Sequence, residues 1–250
     1  MESYLMRVGV EAGINLALIL PVILAALIHK RFAKPALMSL LLFVCFFVLS
    51  VCLMFSSMLF KVIPFWGGWP WQSNLVEVLG IVLLVALIPG FTAKRFGFQL
   101  STQPRSWRNL AICCILYILI AVPLTLWSVQ WHLGFNAHLP EYLFEAVLPG
   151  VVEELWYRGL LLSLLNEGFG RPWKIGQTRF GWGGIIIIVL FGTLHGVAVT
   201  SAHSVHVYWS VMFLPGLVGI VLTWLKERSG SVWPGVVFHN FVDLVNTVME

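Results

Sequence analysis

Residues 36–60 read ALMSLLLFVCFFVLSVCLMFSSMLF, twenty-five positions without one charged side chain. As a helix, that run exceeds the roughly 20 residues needed to cross about 30 Å of hydrocarbon. Lys30, Arg31 and Lys34 stand just before it, and behind them residues 13–28 are again free of charge. Working outward, the chain divides into about eight such stretches: 8–28, 36–60, 74–92, 110–129, 142–165, 183–199, 207–225 and 232–248. The 250 residues are 59% hydrophobic and 10% charged, whereas ordinary soluble domains carry about 25% charged residues. This composition excludes a soluble enzyme, a disordered tail, a collagen-like fibre and a disulfide-stapled secreted domain. A membrane β-barrel is disfavoured because its strands alternate apolar and polar over about 10 residues. The expected fold is all-α: a polytopic transmembrane helical bundle of about eight spans, forming one integral membrane domain over residues 1–250.

The basic residues test this division. Lys30, Arg31, Lys34, Lys94, Arg95, Arg105, Arg108, Arg171, Lys174, Arg179, Lys226 and Arg228 all fall on one side of the alternation; Arg7 and Lys61 fall on the other. Cytoplasmic loops carry the excess of Lys and Arg, so both termini are expected to be non-cytoplasmic. The net charge of +4 is therefore read as orientation and contact with anionic lipid headgroups, not as affinity for nucleic acid. The opposite loops, 65–71 and 131–139, are rich in Trp, Phe and His and are expected to form interfacial aromatic belts. Cys45, Cys52, Cys113 and Cys114 lie within apolar runs without metal-ligand spacing and are read as small buried residues. No cleavable signal-peptide pattern, internal repeat or linker is recognised.

Ionisable groups at membrane depth are costly and mark function by default. The fifth stretch holds Glu153-Glu154-Leu155-Trp156-Tyr157-Arg158. Glu154 and Arg158 are four apart, in the order that favours a helical ion pair. Glu153, turned about 100° away, is the unpaired carboxylate. The bland alternative is a juxtamembrane break between two helices. The sixth stretch carries Phe191 and His195, and the eighth carries His239 and Asp243, again four apart. Any one of these alone more often marks a packing residue. Together, polar groups on three helices are expected to turn inward and meet. The set has no Gly-x-Ser-x-Gly nucleophile and no His-Glu-x-x-His zinc motif. What remains is water activated by a general base. An apolar pocket makes a carboxylate a better base near neutral pH, and an imidazole can donate to the oxyanion formed on an amide.

Glu-Glu-x-x-x-Arg, then Phe-x-x-x-His, then His-x-x-x-Asn/Asp, in that order on separate stretches, resembles the CPBP (Abi) family of intramembrane glutamic-type endopeptidases. That family includes the CAAX prenyl endopeptidases. The resemblance covers about residues 145–247, with a family-like catalytic core at about 141–248, and extends to Ser229-Gly230-Ser231-Val232-Trp233-Pro234. It implies Glu153 as the base with His195 as its partner, and His239 and Asp243 on the oxyanion side. It further implies Glu154 and Arg158 as a structural or substrate-orienting pair, and Phe191 as a packing residue. It implies hydrolysis of a peptide or membrane-protein substrate, of CAAX type or in leader or C-terminal processing, in a multi-pass protein of a bacterial plasma membrane. Asp243 departs from the Asn of the prenyl endopeptidases. An ionised Asp cannot donate a hydrogen bond, so Asp243 is expected to act by orienting His239. The first ninety residues show no family motif.

Three rival readings stand beside this one. A proton-coupled transporter would also use intramembrane Glu, His and Arg, but the repeat symmetry of many carriers is missing. A zinc enzyme would gather His195, His203 and His206. No acidic ligand sits at motif spacing, so no metal is expected and zinc is disfavoured. The third is a non-catalytic immunity or partner protein that kept the scaffold.

Overall fold

The computed structural model describes residues 2–59, 71–100, 104–128, 138–199 and 204–249. Helix α1 (Glu2–His29) and helix α2 (Lys34–Met54) form an antiparallel hairpin. Its turn uses left-handed backbone at Arg31 and Phe32, with φ of 49° and 51°. A proline at the first turn of α2, Pro35, suits a helix start because its missing N–H has no intrahelical partner there. At the far end of the hairpin, Tyr4 Oη donates to the Cys52 carbonyl at 2.9 Å. Helix α3 (Trp71–Leu87) returns to the cationic end. There Thr92 caps the short α4 (Ala93–Phe96), and Gly97, at φ 71°, ends it. Helix α5 (Pro104–Ser128) follows.

The fifth stretch departs from the single helix expected. It comprises α6 (Leu139–Glu145), α7 (Leu148–Glu153), a π-helical segment (Glu154–Leu161) and α8 (Leu162–Phe169). Pro149 in the first turn of α7 explains the break from α6. The π turns begin at Glu154, in keeping with the frequent placement of such turns at functional sites. Strands β1 (Trp173–Ile175) and β2 (Thr178–Phe180) then make a small antiparallel hairpin. Helix α9 (Trp182–Gly196) stops three residues short of the expected end. Val197–Val199 instead form β3, paired with β4 (Val205–Val207). The chain ends with α10 (Trp209–Ser229) and α11 (Trp233–Met249).

Three helical stretches, Ser3–His29, Lys34–Met54 and Trp209–Ser229, are long and apolar enough to cross a membrane on their own; Trp71–Leu87 and Trp182–Gly196 are shorter apolar helices. The centre is filled by Phe43, Phe47, Trp156, Leu160, Leu161, Ile186 and Leu190, all fully buried. Leu41, Leu79, Ile115, Leu119 and Phe213 face outward, each at least 55% exposed. An apolar exterior around an apolar core is what lipid as solvent permits. It also corrects the reading of the cysteines: Cys45 is exposed and the other three are half-buried. Of the expected aromatic belts, only Trp71, His138 and Leu139 fall among the described residues.

The cationic end is tied together. Arg95 forms a two-pronged pair with Glu167, both bonds 2.7 Å, and Arg171 pairs with Glu227 at 2.6 Å. Lys226 Nζ donates to the Phe96 carbonyl at 2.7 Å. The residues after α4 strap onto the start of α11. Val232 N donates to Gly97 O at 2.9 Å, Trp233 Nε1 to Phe98 O at 2.8 Å and Ser231 Oγ to Gln99 O at 2.6 Å.

Candidate active site

The polar groups of the fifth stretch face α9 and α11 across the bundle. Glu154 is fully buried and holds two partners on one oxygen: Arg158 Nη1 at 2.9 Å and His239 Nδ1 at 3.0 Å. The Arg158 guanidinium lies over the Phe191 ring, 3.9 Å from its centroid. Two glycines let the backbones close on this cluster. A Cβ at Gly235 would stand 2.9 Å from Glu154 Oε2, and one at Gly150 would run into the Asn240 side chain. Asn240 uses that proximity, accepting from Gly150 N at 2.8 Å and donating to the Val147 carbonyl at 3.1 Å. The start of α7 is thereby fixed to α11.

Glu153 points the other way, into a cavity of about 320 Å³ whose wall also carries His195, His239 and Asp243. Its Oε2 is buried and has no hydrogen-bond partner among the described residues. The nearest imidazole nitrogen is His239 Nε2, at 3.9 Å from Glu153 Oε2 and 3.6 Å from Asp243 Oδ2. Both separations exceed a hydrogen bond and fit polar groups grouped around one small molecule. His195 Nδ1 lies 2.8 Å from the Phe191 carbonyl. A carbonyl only accepts, so Nδ1 carries the proton and the neutral ring keeps its Nε2 lone pair free. In the same way Glu154, an acceptor held by Arg158, assigns the proton of His239 to Nδ1.

The four catalytic candidates therefore share one cavity, and Glu154, Arg158 and Phe191 form the buried layer behind it. Two details differ from the sequence reading. Glu154 is more than the partner of Arg158, since it also orients His239. And the imidazole within 4 Å of Glu153 is that of His239; no ion pair joins His195 to Glu153 among the described residues. His206 lies on the exposed β4, bonded to Ser204 at 3.4 Å, and His203 lies outside the described residues. Among the described residues, no three His, Cys, Asp or Glu side chains gather to hold a metal ion.

Sequence reasoning missed Glu77. It is 6% exposed, lines the same cavity and is the one charged residue of α3. The rule that singled out Glu153, an acid inside an apolar stretch, also applied to it. Asn74 and Glu145 stand on the same wall.

Residues 134–245 match the family described as Rce1-like, type II CAAX prenyl endopeptidase. No curated protein and no solved structure matches the chain.

Proposed function

With residues 134–245 an Rce1-like type II CAAX prenyl endopeptidase domain, and so that of a hydrolase of an intramembrane-protease family, we propose that the chain hydrolyses a peptide bond with a water activated by Glu153. The observation that carries this reading is the buried Glu153 Oε2, which has no hydrogen-bond partner among the described residues and sits on a cavity wall shared with two imidazoles. A water accepted there gives its proton to the carboxylate as its oxygen bonds to the carbonyl carbon. His195, with Nε2 unprotonated, holds the same water. His239, oriented by Glu154 through Nδ1, stands on the oxyanion side, where its Nε2 donates to the oxyanion in the doubly protonated ring, with the Asp243 carboxylate 3.6 Å away as counter-charge. When the tetrahedral intermediate collapses, the C–N bond breaks and the proton on Glu153 passes to the leaving amine. Glu154, Arg158 and Phe191 are positioning residues. The substrate is a peptide or membrane protein, with CAAX-type and leader-type processing the two classes in view. The bundle carries about eight spans, with both termini non-cytoplasmic.

The test compares cells expressing the wild-type protein with cells expressing Glu153→Gln. Polypeptide termini are mapped in the membrane fraction. New termini are expected only with the wild type; identical sets from the two would end the reading.

A further inference from the structure

We infer that a second cavity, at the cationic end of the bundle, binds a phosphate group, carried by an anionic phospholipid headgroup or free in solution. The inference stands apart from the proteolytic reading. This cavity has a volume of about 370 Å³, and its wall carries Arg95, Arg171, Arg179 and Lys226 against one carboxylate, Glu227. Two ion pairs frame it. Glu167 holds Arg95 with both oxygens. Glu227 meets Arg171 on Oε2 and accepts from Asn166 Nδ2 on Oε1, both at 2.6 Å. Each of these carboxylates is matched by its own arginine, so neither is left to neutralise a further cation.

Arg179 and Lys226 are the charges left over. Lys226 is 5% exposed. Its ammonium has three protons to donate, yet its one hydrogen bond among the described residues goes to a neutral acceptor, the Phe96 carbonyl. A buried charge is costly unless it is paired. The backbone makes room for this one: a Cβ at Gly97, whose φ is 71°, would run into the Lys226 ammonium. The Arg179 side chain is exposed and forms no hydrogen bond or ion pair among the described residues.

The β1–β2 hairpin gives an independent sign of the same ligand. Lys174 and Arg179 stand directly opposite each other in its register. Like charges so placed destabilise a strand pair, and a two-stranded hairpin has little stability to lose. No carboxylate pairs with either among the described residues. Arg228 brings another cation to the hairpin, donating to Gln177 Oε1 at 2.6 Å. An anion in the cavity would relieve the hairpin and give Lys226 a charged partner at once. A phosphate offers several acceptor oxygens to donors that arrive from two elements, β2 and α10. Ile175, next to Lys174, is 66% exposed; an apolar side chain beside cations suits the boundary between headgroups and acyl chains.

The test follows the unfolding temperature of the purified protein in a neutral detergent. One arm adds inorganic phosphate, against sodium chloride at equal ionic strength. The other adds phosphatidylglycerol, against phosphatidylcholine. Ligand in about tenfold excess over its Kd should raise the unfolding temperature by about 3 °C or more. A rise with inorganic phosphate supports the site with free phosphate as a ligand. A rise with phosphatidylglycerol alone supports it with the lipid headgroup as the ligand. No rise in either arm overturns the inference. Arg179→Gln should weaken binding about tenfold or more, the loss expected for a hydrogen bond between charged groups. In chloride it should unfold no lower than the parent, because it removes the repulsion with Lys174. Equal binding by parent and variant would overturn the inference, and so would a variant less stable than the parent in chloride.

Discussion

The two ends of the bundle treat charge in opposite ways. At the cationic end, Arg95, Arg171 and Lys226 each meet a carboxylate or carbonyl at 2.6–2.7 Å. At the cavity end, Glu153 Oε2 has no hydrogen-bond partner among the described residues, and His239 Nε2 stands 3.6–3.9 Å from two carboxylates. Groups that satisfy one another hold a structure, whereas groups held just out of reach of one another are available to a substrate or a water. Between the two ends lies the buried Glu154–Arg158 pair, joined at 2.9 Å, which belongs to the scaffold by its burial and its ion pair and to the site by its bond to His239, although Glu154 Oε2 and Arg158 Nε and Nη2 have no hydrogen-bond partner among the described residues.

That contrast is open to attack by substitution, and the largest effect is expected in the middle layer. Arg158→Met leaves Glu154 buried without its cation. Removing one partner of a buried pair typically costs about 3–5 kcal/mol, so the protein should lose thermal stability in detergent and accumulate poorly. A variant as stable as the parent would break the claim that this pair is scaffold.

At the cavity end the expected losses are in rate. His195→Phe keeps an aromatic ring against Phe191 but removes both nitrogens. Loss of a residue assisting proton transfer is expected to slow cleavage by about 10²-fold or more, with unfolding temperature nearly unchanged. A variant that cleaves at the wild-type rate would remove His195 from the chemistry.

Asp243 should give a smaller, graded effect. Asp243→Asn can still orient His239 or supply a donor itself, so it should keep substantial activity, while Asp243→Ala should lose more. Equal loss in the two variants, read from cleavage rates in matched detergent, would show that the carboxylate itself is required.

The smallest effect is expected at the cationic end. The Arg95–Glu167 pair is partly exposed, at 30% and 46%, and exposed pairs contribute about 0.2–1 kcal/mol. Arg95→Ala should shift stability within that range and leave cleavage untouched. A large loss of cleavage there would erase the distinction between the two ends.

Much of this division was legible in the sequence, because apolar runs and isolated charges are local signals. Runs such as 36–60 located the helices, and the same rule singled out Glu153, His195, His239 and Asp243, which line one cavity. Contacts between distant residues were not legible. His239 reaches Glu154 across 85 residues, and no spacing within either helix announces it. The π turns beginning at Glu154 are likewise set by packing, since the local pattern reads as ordinary helix. Val197–Val199 form a strand only because Val205–Val207 pair with them. Glu77 was legible by the same rule as Glu153, but no ionisable partner stands four residues from it, where Ser73 and Ile81 lie, so no spacing marked it out.

The most direct test sets the two adjacent glutamates side by side, since the account gives them different work: Glu153 chemistry, Glu154 position. Purified Glu153→Gln and Glu154→Gln proteins are compared with the parent for cleavage of a peptide identified by terminus mapping, and for unfolding temperature in the same detergent. The account predicts a Glu153→Gln protein that is folded like the parent and slower by about 10²–10⁴-fold, and a Glu154→Gln protein that is destabilised as well as impaired. A Glu153→Gln protein that cleaves at the parent's rate would contradict it.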